Sequence, residues 1–98
     1  MKYYNRGIVA HLTAAIDLLD DDHLLFENIQ GQGPIDIVRI NIKTGEVELY
    51  DVKCDDDKRH RKRYSSEIQK KLGVKLLGFN PDTRELHFIG HKENEQKG

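Results

Sequence analysis

Two runs of alternating apolar and polar residues, 35–42 and 47–54, flank the short segment Lys43-Thr44-Gly45-Glu46. A period of two over such lengths is the mark of a half-buried strand, and a short connection containing Gly joins two of them as a hairpin. Pairing Ile42 with Val47 sets Asp36 opposite Lys53 and Val38 opposite Asp51. Paired residues share a face, so Asp36, Asp51 and Lys53 are expected to project together from one end of one face. The rest of that face is Val38, Ile40, Ile42, Val47 and Leu49. The other face mixes Arg39, Asn41, Lys43, Glu46 and Glu48 with Ile37, Tyr50 and Val52. A slip of one residue would set Val38, Ile40 and Ile42 against Glu46 and Glu48, so the hydrophobic pattern selects the register that gathers the three charges.

The flanking segments predict a full domain around this hairpin. Ile8, Leu12, Ile16 and Leu19 recur at helical spacing, widened by Val9 and Ala15, and predict a helix over 3–20. Asp20, Asp21 and Asp22 break it as a solvated loop. Residues 24–29 read as a strand ended by Gln30-Gly31-Gln32-Gly33-Pro34. After the charged stretch 55–63, a second helix is expected over 60–72, with Tyr64, Ile68 and Leu72 on one stripe and Gly73 as its stop. Strands over 74–79 and 85–89 are joined by the turn Asn80-Pro81-Asp82-Thr83-Arg84. The order α-β-β-β-α-β-β predicts an α/β class with a mixed sheet, a single domain over 1–98, and a flexible polar tail at 91–98.

Size and composition narrow the functional classes. A domain of 98 residues buries a modest fraction of its surface, which favours a homodimer or a larger assembly. The net charge of -1 gives no whole-chain basic excess of the kind common in nucleic-acid binders, so any such role must rest on local charge. Cys54 is the single cysteine, which excludes an intrachain disulfide and a Cys-rich metal site. Neither a membrane-length apolar run nor a signal-peptide pattern is present, and a cytoplasmic location with no membrane partner is expected. A carboxylate site for a hard cation stays open.

Charges seldom sit at the edge of an apolar face without a partner. Two readings account for Asp36, Asp51 and Lys53. One is a cross-strand Asp36–Lys53 ion pair, an ordinary sheet stabiliser. The other is a divalent cation held between two carboxylates whose mutual repulsion it relieves. Such an ion polarises a phosphoryl oxygen and favours hydroxide, while a nearby Lys orients water or offsets charge in the transition state.

Pro34-Ile35-Asp36, followed after the hairpin by Asp51-Val52-Lys53, resembles the motif of the PD-(D/E)XK nuclease superfamily, with one residue inserted between Pro and Asp. The order of elements over roughly residues 3–80 is also similar to that superfamily's core, and to its Holliday-junction-resolvase-like and restriction-like members in particular. The resemblance implies a restriction-endonuclease-like fold and a metal-dependent DNA endonuclease. It implies Mg²⁺ or Mn²⁺ on Asp36, Asp51 and the Val52 carbonyl, with Lys53 acting on the attacking water. It implies that Gln69 of the second helix points into the site. Where many members carry a Glu on the first helix, this chain has His11; His11 or Glu27 substitutes for it, or the metal has fewer ligands.

Directly after the catalytic strand, Lys58, Arg59, Arg61, Lys62 and Arg63, with His60 among them, form a basic run suited to DNA phosphates, joined by Ser65 on the helix. A solvated loop balanced by Asp55, Asp56 and Asp57 is the plainer reading of the same run. Two alternatives to the endonuclease stand: a nuclease-like module that binds nucleic acid or a partner without cutting, and a small structural sheet protein.

Overall fold

The computed structural model describes residues 3–54 and 66–89. The basic run with Lys58, Arg59, Arg61, Lys62 and Arg63, the start of the expected second helix with Ser65, and the tail at 91–98 lie outside the described residues. The elements are α1 (Tyr3–Leu18), β1 (His23–Glu27), β2 (Ile37–Asn41), β3 (Val47–Cys54), α2 (Glu67–Leu72), β4 (Val74–Phe79) and β5 (Leu86–Ile89). They form a mixed α/β fold, a five-stranded sheet in the order β1-β2-β3-β4-β5 flanked by helices. The β3–β4 pair is parallel and the other three pairs are antiparallel. A parallel pair needs a long crossover, which the chain between Cys54 and Val74 supplies with α2 in it.

β4, Val-Lys-Leu-Leu-Gly-Phe, is buried at every position but Lys75, as expected of a strand with neighbours on both sides and a covering element. α2 opens on a capping box: the Ser66 hydroxyl accepts from Gln69 N–H and the Gln69 side chain accepts from Ser66 N–H. It closes at Gly73, whose φ of 73° is the left-handed conformation that favours glycine at this position.

The hairpin is closed two positions away from the expected register. Ile40 pairs with Val47, Val38 with Leu49 and Ile37 with Tyr50. The turn explains the shift. Asn41 N–H donates to Glu46 O, and the Asn41 side chain accepts from Lys43 and Thr44 N–H. Gly45, at φ 78°, donates back to Asn41 O. Ile42 is thereby moved out of the β2–β3 ladder and donates instead to Asp22 O. An even shift keeps every side chain on its face, so the grouping of Asp36 with Asp51 and Lys53 survives, but Asp36 no longer faces Lys53.

The core also differs from the expected one. Ala14, Leu18, Ile37, Tyr50 and Leu77 form the buried cluster, with Leu25 and Val52 packed against it. α1 therefore covers the face of Ile37, Tyr50 and Val52, which the sequence pattern marks as mixed. The helix faces the sheet with Ala10, Ala14 and Leu18, while Ile8, Leu12, Ile16 and Leu19 are exposed, Ile16 at 74%. Small residues let the helix lie close to the strands, and packing distance outweighs side-chain size. The polar members of this face sit at its margin and are paired. Arg39 donates to Leu18 O, Glu48 Oε1 and Asp20 Oδ2 at 2.8–2.9 Å. It thus caps the end of α1, where the helix dipole favours a cation, and ties that end to the sheet.

Candidate functional site

On the sheet face opposite α1, the start of β2 and the middle of β3 bring two carboxylates together. Asp36 lies just before β2 and straddles Asp51: its N–H donates to Tyr50 O at 2.8 Å, and its Oδ2 accepts from Val52 N–H at 2.7 Å. The side chain thus takes over where the backbone ladder ends. Burial, and next the Asp51 carboxyl within hydrogen-bonding reach, push the Asp36 carboxyl above its usual range; the Val52 N–H and the charge of His11 act against this and do not prevail.

Asp51 is 4% exposed, and two donors meet its Oδ2. Gln69 Nε2 stands at 2.7 Å and Lys53 Nζ at 3.1 Å. The ion pair of this site is therefore Asp51–Lys53, two residues apart on one strand, and not the cross-strand Asp36–Lys53 pair. Gln69 is itself buried and fully engaged. Its Nε2 also donates to Pro34 O at 2.9 Å, and its Oε1 accepts from Ser66 N–H. One amide consequently joins α2, the loop before Asp36 and the carboxylate of β3. Charge–amide hydrogen bonds of this kind are worth more than neutral ones.

His11 is placed differently from a ligand shared with Asp36 and Asp51. Its Nε2 is engaged by Glu27 Oε1, so the two residues considered separately as substitutes for a helix-borne Glu bind each other. Among the described residues, no three His, Cys, Asp or Glu side chains come close enough to hold an ion as a group. A centre here would draw on two carboxylates, a backbone carbonyl, water and substrate oxygens, which is within the habit of Mg²⁺. In a strand the N–H and C=O of one residue leave by the same edge. Val52 N–H points at Asp36, so the Val52 carbonyl leaves β3 on that side too. Two facing acids, whose closeness raises the cost of ionising both, fit a divalent cation by donor chemistry.

The loop between β1 and β2 was not marked by the sequence pattern as part of the site. Asn28 organises it: its Nδ2 donates to Gln32 O and Ile35 O, and its Oδ1 accepts from Gln30 N–H. An Asn followed by two Gly is a turn signal, and it could have pointed to a built loop here. Among the described helices, none is long and apolar enough to cross a membrane. No known protein family, no curated protein and no solved structure matches this chain.

Proposed function

We propose that the protein is a metal-dependent DNA endonuclease with a restriction-endonuclease-like core of the PD-(D/E)XK type, hydrolysing phosphodiester bonds at Asp36, Asp51 and Lys53. The observation that carries this reading is the convergence of the Asp36 and Asp51 carboxyls at the point where β2 and β3 part, with Lys53 beside them. Two facing acids that are both ionised cost a sheet stability, since like charges across strands destabilise it. A cation removes that cost. Asp36, Asp51 and the Val52 carbonyl would hold Mg²⁺ or Mn²⁺, which when bound supplies charge to a phosphoryl oxygen and favours hydroxide from water.

The chain's own residues have distinct parts. Lys53 Nζ, anchored by Asp51 Oδ2, orients the attacking water and offsets charge at the phosphate. Gln69 positions the Asp51 carboxylate and has no spare donor for substrate. The basic run of Lys58, Arg59, Arg61, Lys62 and Arg63, with Ser65, grips phosphates beyond the cut. The exposed apolar residues Ile8, Leu12 and Ile16 of α1, with Leu19 just past its end, support the homodimer expected for so small a domain, since exposed apolar surface beyond scattered single residues marks an interface.

A second reading, a nuclease-like module that binds DNA without cutting it, is favoured by one observation: Asp51 already has two partners on Oδ2, as a structural acid would. The test is metal titration by calorimetry together with cleavage of supercoiled, branched and single-stranded DNA. The endonuclease binds Mg²⁺ or Mn²⁺ and cuts at least one DNA form. The binding module retains DNA in EDTA and cuts none.

A further inference from the structure

Next to Asp36 in the chain, the loop before β2 borders an open pocket of about 340 Å³ whose lining includes Glu27, Gln30, Gln32, Pro34, Ile35 and Val38. We propose that this cavity receives a single nucleobase of the strand whose phosphate lies at Asp36 and Asp51. Its size is that of a small-ligand site. Pro34, Ile35 and Val38 offer apolar surface for the face of a flat ring. Gln30 and Gln32 contribute primary amides, each carrying both donors and an acceptor, which is the pattern that reads a base edge. Among the described residues, neither of these two side-chain amides is used in a hydrogen bond. The Asn28 amide is spent on the loop itself, so it builds the cavity and does not read the ligand.

The single charged side chain of the lining is Glu27. His11 engages its Oε1, so its Oε2 is the oxygen that meets the occupant; a carboxylate oxygen repels a phosphate and accepts from ring or exocyclic N–H groups, so the occupant is the base and not the anion. The cavity is also mechanically joined to the proposed centre. Pro34 O, on its wall, and Asp51 Oδ2 accept from the same Gln69 amide nitrogen at 2.9 and 2.7 Å. A base seated against the loop thus fixes the wall against which Asp51 is aligned. Reaching the cavity requires a base outside a duplex stack, so the inference selects unpaired, bulged or flipped nucleotides as substrate. It rests on the nuclease reading for the phosphate and on the cavity alone for the base.

The experiment is NMR titration of the uncleavable mononucleotides dAMP, dGMP, dCMP and dTMP into wild type and Val38→Phe, which fills the cavity. The expected result is a saturable shift of the Ile35 and Val38 methyls and of the Gln30 and Gln32 side-chain amides in wild type. Binding should weaken at least about tenfold in Val38→Phe, with an unchanged spectrum at Asp51 and Lys53 showing that the fold persists. A second variant, Gln30→Ala with Gln32→Ala, should weaken binding and leave the apolar wall intact. If no mononucleotide moves these resonances while the protein still cleaves DNA with Mg²⁺, the base site is overturned and the nuclease stands. If the shifts occur but no metal binds and no DNA is cut, the base site stands and the nuclease falls.

Discussion

Gln69 on α2 donates from one side-chain nitrogen to Asp51 on β3 and to Pro34 on the preceding loop, at 2.7 and 2.9 Å. Removing it leaves a buried carboxylate oxygen and a carbonyl short of a donor, and deletes half of the α2 capping box. Gln69→Ala should therefore cost about 1–3 kcal/mol in urea denaturation, the range for leaving buried polar groups unsatisfied. Gln69→Glu should cost more, because it sets a third acid against Asp51. A loss of a few tenths would show that α2 does not hold the site.

Asp36→Asn keeps an oxygen for the Val52 N–H and removes the conflict with Asp51. The folded-state pKa of Asp36 is raised. Its contribution to stability is therefore present below the ordinary carboxylate pKa and is lost as pH rises through the raised value. Without metal, Asp36→Asn should equal wild type at low pH and exceed it toward neutrality, as read by thermal melting across pH. With Mg²⁺ the order should reverse, because only wild type gains the ligand-binding term of stability. If melting of wild type and variant shows the same pH profile, the two acids do not interact.

Tyr50 is buried under α1 and its hydroxyl donates to Glu48 Oε1. Burial first, then that hydrogen bond, pushes the phenol up to about 12. Ultraviolet titration should show one of the four tyrosines ionising late, near that value. The stability this phenol supplies should persist below its unfolded pKa of about 10 and be lost as pH rises through the folded value. In Glu48→Gln the late phase should move down, toward the other tyrosines.

Ile8, Leu12 and Ile16 lie at intervals of four on the outer side of α1, and Leu19 follows three residues on, just past its end. If they form the proposed homodimer contact, light scattering at micromolar concentration should give a dimer mass for wild type. Leu12→Glu with Ile16→Glu should give a monomer with an unchanged circular dichroism spectrum. A monomeric wild type would remove the assembly.

The sequence pattern carries a large part of this structure. All seven elements are legible in order, and β3 and β4 have the expected limits. Side-chain parity in the hairpin is also legible, because alternation is a local property of 35–42 and 47–54. The register is not, because it depends on how the Asn41 side chain folds the turn and removes Ile42. The covered face is not legible either: the branched apolar residues Ile8, Leu12 and Ile16 trace one exposed stripe of α1, while Ala10 and Ala14, with Leu18, meet the sheet. At the site, Asp36, Asp51 and Lys53 can be grouped from strand alternation and Gln69 follows from the family resemblance, whereas the His11–Glu27 pair joins residues sixteen apart and follows only from the tertiary fold.

The most direct test is conversion of supercoiled plasmid to nicked or linear form, with wild type and Asp51→Asn compared in Mg²⁺, Mn²⁺ and EDTA. Wild type should cut in the presence of either metal and not in EDTA, and Asp51→Asn should lose at least about a hundredfold in rate, as is common when charge stabilisation of a transition state is removed. Equal cleavage by the variant, or no cleavage by wild type of supercoiled, branched or single-stranded DNA with either metal, would contradict the endonuclease.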